Sequence, residues 1–165
     1  MAKVTLRWQR VTDAKRYFDI LNNPSFKFFT PPPKTVAAEK KWLEGNAAKR
    51  RKKTEFNFAI LYDGKLVGGV GFRIQQSANH CCEGGYFVDE AYWKKGIASK
   101  AMRLIEKFVF GELKLKRFEL HIDPRNKGSQ GVARKLGYKR EGLMRKKNRG
   151  RDGKLHDMLM YAKVR

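Results

Sequence analysis

The chain has 165 residues, which is enough for one compact domain with a substantial core and too few for two domains of ordinary size. Hydrophobic residues make up 41% of it, and 15 Gly and 5 Pro are too few for a disordered or fibrous protein. The 38 Lys and Arg residues outnumber the 16 Asp and Glu residues, and the net charge of +22 predicts an anionic partner such as a phosphate group, a nucleic acid or an acidic protein.

The start of the chain carries no targeting or membrane-spanning signal. Met1-Ala2-Lys3-Val4 leads directly into a polar segment, and no part of the chain approaches the run of about 20 apolar residues that a membrane helix requires. We therefore expect a cytoplasmic protein that has no membrane partner.

The first third of the chain reads as one strand followed by two helices. Residues 4–9 alternate between apolar and polar side chains, which is typical of a strand with one buried face. A helix then begins at Thr12 or Asp13 and ends at Asn22-Asn23-Pro24, and Thr35 caps a second helix that reaches to about residue 50. The loop between the helices has a high aromatic density and is expected to pack against the rest of the protein. Its aromatic residues are Phe26, Phe28 and Phe29.

A β-hairpin follows the helices. Residues 55–62 and 65–74 are rich in β-forming residues, and Asp63-Gly64 between them suits a tight turn that needs positive φ at both central positions. Three glycines in the second strand predict bulges or the close approach of another backbone. They are Gly68, Gly69 and Gly71.

The two cysteines precede the next strand and lie side by side, as Cys81 and Cys82. Adjacent cysteines cannot form a disulfide framework or a four-cysteine zinc site. His80 beside them does not complete a ligand set with suitable spacing, so we expect two part-buried strand cysteines and no bound metal.

The second half of the chain contains a βαβ unit. Residues 83–88 and 115–122 read as strands, and residues 95–110 between them carry apolar side chains at helical spacing, which predicts two parallel strands in one sheet. A short helix at 126–136, ended by Gly137, and strands at 138–145 and 154–164 complete an α+β fold.

The junction between the strand and the long helix is the most informative segment for function. Residues 89–98 read Asp-Glu-Ala-Tyr-Trp-Lys-Lys-Gly-Ile-Ala, so Gly96 and Ala98 leave the first backbone amides of the helix accessible. A helix N-terminus of this kind binds phosphate groups, and Lys94 and Lys95 add positive charge. The alternative is a tight turn that only caps a structural helix.

Several motifs together resemble the GNAT superfamily of N-acetyltransferases. They are Gly96-x-Ala98 at the start of a helix, Asn126-x-x-Ser129 after the next strand, and Leu136-Gly137-Tyr138. Glu83-Gly84-Gly85-Tyr86-Phe87-Val88 with Tyr92-Trp93, and the tail Asp152-Gly153-Lys154-Leu155-His156-Asp157, resemble the ribosomal-protein-alanine N-acetyltransferases within it. The similarity covers most of the chain and is strongest from Glu83 to Tyr161.

The resemblance implies an enzyme that uses acetyl-CoA as cosubstrate in a single domain, residues 1–165. It implies a mixed, mostly antiparallel central sheet with a splayed parallel strand pair and helices on both faces. Trp93 replaces the Gln or Arg that is usual in the family. The residues implied in cofactor binding are Phe87, Val88, Lys94, Lys95, Gly96, Ile97, Ala98, Ser99, Asn126 and Ser129.

The resemblance also implies two catalytic residues and a set of acceptor contacts. Glu83 is expected to remove a proton from the incoming amine, and its partial burial is expected to raise its pKa. Ser129 is expected to contact the cofactor sulfur, because the position of the usual tyrosine acid is occupied by Ala133. The alternatives are a surface role for Glu83, a helix cap for Asn126 and a solvated side chain for Ser129. The implied acceptor contacts are Phe28, Phe29, Glu83 and Tyr86.

The favoured acceptor is the N-terminal α-amine of a protein, such as a ribosomal protein. Basic residues between 145 and 154 are expected to line the acceptor cleft, to attract an acidic terminus and to repel a polyamine. Two alternatives remain open, namely a small-molecule or antibiotic acetyltransferase and a basic nucleic-acid-binding module without catalysis. RNA contact through residues 49–53 and the 145–154 hairpin is an additional expectation, and the sequence is compatible with a monomer or a homodimer.

Overall fold

A computed structural model describes residues 2–28 and 31–165. Within these described residues, seven strands form one sheet, and five α-helices lie against it. The strands are β1 Val4–Trp8, β2 Glu55–Tyr62, β3 Lys65–Gln75, β4 Ala78–Val88, β5 Arg117–Ile122, β6 Lys139–Arg149 and β7 Leu155–Val164. The helices are α1 Ala14–Leu21, α2 Val36–Glu44, α3 Asn46–Arg51, α4 Ile97–Glu106 and α5 Lys127–Lys135.

The strand order in the sheet is β1-β2-β3-β4-β5-β7-β6. Every neighbouring pair is antiparallel except β4 and β5, which α4 connects as the predicted βαβ unit. The α+β fold with a mostly antiparallel sheet and one parallel pair is therefore confirmed.

The helices cover both faces of the sheet, as expected. On one face, α4 and α5 bury a large core that includes Ile60, Met102 and Phe118. On the other face, α1 and α2 form a smaller core around Tyr17 and Leu43. The second core reaches only from β2 to β4, so none of the helices described in residues 2–28 and 31–165 covers the same face of β5 and β7.

Several predicted boundaries differ from the structure. The second helix is divided into α2 and α3 at Gly45, whose N–H donates to the Trp42 carbonyl three residues earlier and changes the course of the chain. Strand β4 begins at Ala78, five residues before the predicted start. Helix α4 begins at Ile97 rather than 95, and a π-helical turn at Lys107–Glu112 follows it.

The predicted close approach at the glycines of β3 is confirmed. An added Cβ at Gly68 or Gly69 would collide with Phe87 of β4, and one at Gly71 would collide with Asn57 of β2. A bulge also interrupts the pairing of β2 with β3 between Ile60 and Leu61. Glycine is therefore required here because neighbouring strands occupy the space of a side chain.

Replacing Gly84 with alanine tests how tightly β4 packs. The new methyl group would lie 2.5 Å from the Phe118 ring and 2.7 Å from the Gly71 carbonyl oxygen, so we expect the free energy of unfolding to fall by about 1–3 kcal/mol. Gly85→Ala is the matched control, because no atom lies within 4 Å of its added Cβ, and it should keep or slightly raise stability. Denaturant titration measures both, and equal values for the two variants would contradict this packing.

Candidate active site

The site is built around a gap between β4 and β5. Their pairing runs from Cys81 with Arg117 to Gly84 with Leu120 and then stops, although β4 continues to Val88. The N–H of Asp89 donates to Val67 on β3 at 2.7 Å. Since main-chain groups alternate in direction along a strand, those of Tyr86 and Val88 point away from β3 and into the gap. The predicted splayed pair is thus present.

Trp93 occupies part of this gap. Its indole Nε1 donates to the Val88 carbonyl at 2.6 Å, and its ring meets the Phe26 ring edge-on at 5.9 Å. The N–H of Val88 faces the same gap. The main chain of Phe87 points toward β3 instead, and its ring packs against Tyr17 at 5.3 Å. The main-chain groups of Val88 therefore face the gap. The Phe87 side chain packs on the face of the sheet that α1 covers.

The gap ends near the N-terminus of α4. Lys94 and Gly96 both have positive φ, at 62° and 73°, which produces a sharp turn before the helix. In the part of the chain that the structure describes, no side chain caps α4, and no atom beyond Gly96 and its two neighbours lies within 4 Å of an added Cβ at Gly96. The amides of Ile97, Ala98 and Ser99 therefore start the helix beside open space, where the positive end of the helix dipole favours an anion.

The lysines of this turn differ in their surroundings. Lys95 places its ammonium group 5.0 Å from the centre of the Tyr92 ring and 6.0 Å from that of Tyr62. Lys94 is exposed, as is Lys100 one turn into the helix. The charge that the sequence predicted at this turn is present, and Lys94 is among its exposed members.

The start of α5 lies on the same side of the sheet. Asn126 caps this helix, since its Oδ1 accepts the N–H of Ser129 at 3.0 Å. Ser129 in turn accepts a hydrogen bond from the Tyr86 hydroxyl at 3.3 Å, which joins α5 to β4 across the gap. Burial raises the pKa of Tyr86, so its hydroxyl remains a donor at neutral pH. Tyr86 was grouped with the acceptor contacts, but its hydroxyl lies with Ser129.

Glu83 lies on the opposite face, because side chains alternate along β4. Its carboxylate is half-exposed, and Oε1 is 3.0 Å from Nδ1 of His121 on β5. The hydrogen bond with His121 lowers the pKa of Glu83, and the charges of Lys147 and Arg73 lower it further. The expected rise in the Glu83 pKa is therefore wrong, because the sequence did not show that a histidine and two cations surround this carboxylate.

Arg151 fixes the wall of the cleft on this second face. Its guanidinium donates to main-chain carbonyls of the loop after α1, at 3.0–3.3 Å, and so joins the β6–β7 turn to that loop. The accepting residues are Leu21, Asn22, Asn23 and Phe26. The sequence marked Arg151 only as one of several cleft cations. Four bonds to distant carbonyls leave no pattern in a sequence, so this role could not be predicted.

An open recess of about 330 Å³ lies beside this wall, lined in part by Arg125 and His156. Arg125 pairs with Asp123 at 2.7 Å, and its guanidinium lies 5.4 Å from the centre of the Phe28 ring. Asp152 pairs with His156 at 2.8 Å. Phe28 thus packs against Arg125, one of the residues that line the recess, and its role as an acceptor contact stays a prediction. The other predicted aromatic contact, Phe29, lies outside the described residues.

The two cysteines lie in the first half of β4, and they were considered above as ligands for a metal ion. Cys81 and Cys82 are buried free thiols, and desolvation raises the pKa of both. Across residues 2–28 and 31–165, no three His, Cys, Asp or Glu side chains converge where they could hold a metal ion. Over the same residues, no helix has the length and apolar character needed to cross a membrane.

Comparison with known proteins identifies the family. Residues 3–139 match the family model described as the acetyltransferase (GNAT) domain, so the chain belongs to this acetyltransferase family, as the motifs predicted. The structure is similar to Mycobacterium smegmatis RimJ in complex with CoA-disulfide, with a TM-score of 0.89 and 25% identity over 98% of this chain and 81% of that one.

Two curated relatives are similar in sequence. The probable N-acetyltransferase YjcK of Bacillus subtilis is 38% identical over 115 residues, 68% of this chain and 64% of the relative. The ribosomal-protein-serine acetyltransferase of Escherichia coli is 26% identical over 135 residues, 80% of this chain and 75% of the relative. The chain thus matches 64% of the length of the first of these relatives.

The cap at the start of α5 gives a direct test of the site geometry. Asn126→Ala removes the acceptor for the Ser129 N–H, and we expect the free energy of unfolding to fall by about 1 kcal/mol. Asn126→Asp should retain full stability, because aspartate caps helices as well as asparagine does. Thermal or denaturant unfolding of the two variants provides the measurement. Equal losses in both variants would mean that the cap does not form.

Proposed function

We propose that residues 1–165 act as a single N-acetyltransferase domain that moves an acetyl group from acetyl-CoA to a primary amine. The observation that carries this proposal is the gap between β4 and β5, which leads to the uncapped N-terminus of α4. The pantetheine arm of acetyl-CoA is extended and carries amide groups, so it would hydrogen-bond to strand backbone that is not paired with another strand. The pyrophosphate of acetyl-CoA would bind to free main-chain amides. The proposal is supported by the CoA that is named with the similar RimJ structure.

The residues around the gap are suited to different parts of acetyl-CoA. The amides of residues 96–99 would bind the pyrophosphate, with Lys94 adding charge. The main-chain groups of Tyr86 would pair with the pantetheine amides. The Val88 carbonyl already accepts the Trp93 indole, so the Val88 N–H is the group that is free to bind a carbonyl oxygen.

The reaction is attack of a neutral amine on a thioester. Glu83 would hold the ammonium form of the acceptor and take its proton. The Val88 N–H would stabilise the oxyanion that forms on the thioester carbon. Ser129 would donate a hydrogen bond to the departing sulfur, and the Tyr86 hydroxyl that donates to Ser129 would orient it.

We propose further that the acceptor is the N-terminal α-amine of a protein, and a ribosomal protein is the preferred class. The open second face, with the recess at Arg125 and the exposed Lys147, suits an extended and acidic chain terminus. An α-amine titrates near pH 8 and needs less help than a lysine amine. Support also comes from the E. coli relative, whose name describes a ribosomal-protein-serine acetyltransferase.

The basic run after α2 supports RNA contact only in an auxiliary role. Lys49 lies over the Trp42 ring at 4.9 Å, and Arg50 lies over the Trp8 ring at 4.3 Å, so part of this charge packs within the fold. A module that only bound nucleic acid would also leave the gap and the α4 turn without a purpose.

The decisive experiment is calorimetry with CoA, with Gly96→Ala and Gly64→Ala as a matched pair. Both glycines have positive φ, 73° and 77°, and open space at the added Cβ, so both variants carry a similar backbone strain. Only Gly96→Ala covers the amides of α4, and we expect it to weaken CoA binding by about tenfold or more. Wild-type protein that binds no CoA would overturn the proposal.

The acceptor is identified by a panel assay. Acidic and ribosomal N-terminal peptides are compared with free small amines and polyamines, with acetyl-CoA as donor. We expect transfer to peptide α-amines. Transfer to small amines alone would contradict a protein acceptor and would support a small-molecule acetyltransferase.

Ser129→Ala should lower turnover more than cofactor affinity. Loss of one weak donor to the leaving sulfur is expected to lower kcat by about tenfold, less than the roughly 10²-fold that loss of an oxyanion donor costs. The affinity for acetyl-CoA, measured by calorimetry, should change little. Ser129→Thr keeps the hydroxyl and serves as control. Unchanged turnover in Ser129→Ala would remove Ser129 from the mechanism.

A further inference from the structure

His121 lies between two carboxylates on the second face of the sheet. Its Nδ1 is 3.0 Å from Oε1 of Glu83, and its Nε2 is 3.5 Å from Oε2 of Glu119. The side chain is only 11% exposed, and the buried Nε2 makes no hydrogen bond to any part of the chain that the structure describes. A buried ring nitrogen that faces a carboxylate without a short bond needs an explanation.

Glu119 is held rigidly beneath this ring. Its Oε1 accepts the Nε of Arg117 at 2.7 Å, and its Oε2 accepts the amide of Gln75 at 3.0 Å. The carboxylate is buried and cannot turn toward solvent. When the imidazole ring takes up a proton, its positive charge would therefore lie next to the fixed carboxylate of Glu119, on the side away from Glu83.

The position of His121 along β5 links this cluster to the proposed reaction. Pairing between β4 and β5 ends at Leu120, so His121 is the first residue past the point where the strands separate. Gly85 on the same face of β4 has no atom within 4 Å of an added Cβ, which leaves open space next to Glu83. An amine that enters the gap from this face would contact the half-exposed Glu83 before it could contact the more buried His121.

We propose that Glu83 and His121 form a proton relay for the acceptor amine, in which His121 is a positioning residue that acts through Glu83. This inference rests on the proposed acetyltransferase function. In the resting site the neutral His121 ring carries its proton on Nε2, on the side of Glu119, so that Nδ1 is free to accept a proton. The ammonium group of the acceptor gives a proton to the Glu83 carboxylate, and Glu83 passes a proton to Nδ1 of His121. The products of the relay are a neutral amine, a regenerated Glu83 carboxylate and an imidazolium between two carboxylates.

The charges around the pair explain why Glu83 needs a second group. The hydrogen bond with His121, together with Lys147 of β6 and Arg73 of β3, lowers the pKa of Glu83, so this carboxylate attracts the ammonium but retains a proton poorly. Histidine is the side chain that changes charge between pH 5 and 8. Glu119, which pairs with Arg117, would stabilise the imidazolium on its Nε2 side. Met160, the β7 residue that pairs with His121, carries no charge.

The test uses His121→Gln in the full chain, with the acceptor peptide found by the panel assay. Glutamine keeps a polar amide beside Glu83 but cannot take up a proton. We expect kcat at pH 7 to fall by about 10²-fold, with unchanged acetyl-CoA affinity. The loss should shrink as the pH rises above about 8, where the α-amine is already neutral. His80→Gln, an exposed histidine of β4, is the matched control and should behave like wild type.

A second acceptor separates the relay from a structural role. A peptide of the same sequence with an aminooxyacetyl N-terminus presents an amine that is neutral at pH 7. The relay predicts nearly equal rates for wild type and His121→Gln on this peptide. Equal losses on both acceptors and at every pH would overturn the relay and leave His121 a structural residue.

Ring-nitrogen NMR of His121 gives a readout that is independent of turnover. The relay requires Nδ1 of His121 to share a proton with Glu83, so the Nδ1 resonance at pH 7 should change in Glu83→Gln. An unchanged Nδ1 resonance would overturn the relay. Wild-type protein that binds CoA and acetylates its peptide, alongside a fully active His121→Gln, would overturn the relay alone. Wild-type protein that transfers no acetyl group would overturn the proposed function and the relay with it.

Discussion

The early end of the pairing between β4 and β5 is the constraint on which the rest of the site depends. After Gly84 and Leu120 the strands separate, and the main chain of β4 faces a gap. Main-chain groups in such a position need hydrogen-bond partners, which makes the gap a binding site for a ligand with amide groups. Trp93 satisfies one of these groups, the Val88 carbonyl, and leaves the adjacent N–H directed into the gap.

The alternation of side chains along β4 divides the site between two faces of the sheet. Tyr86 and Ser129 lie on the face of α4 and α5, together with the helix N-terminus that suits a phosphate. Glu83 and His121 lie on the other face, where no helix covers β5. The sheet thus keeps the proposed cofactor groups apart from the proposed acceptor groups, and the gap is where the two faces meet.

The large positive charge of the chain is partly used for structure. Arg151 holds the loop after α1, Arg117 fixes Glu119, and Arg50 packs over the Trp8 ring. The net charge of +22 therefore overstates the charge that is free to attract a partner. The exposed remainder includes Lys94 at the α4 turn and Lys147 on the acceptor face, where an anionic cofactor and an acidic chain terminus would approach.

The sequence by itself determined most of the elements, the Asp63-Gly64 hairpin and the turn at Gly96, because these depend on residues close together in the chain. The tertiary structure alone decided the end of β4–β5 pairing, the lowered pKa of Glu83 and its contact with His121. These properties arise where β4 and β5 meet, and contacts between residues 38 positions apart leave no local pattern of periodicity or turn chemistry in the chain.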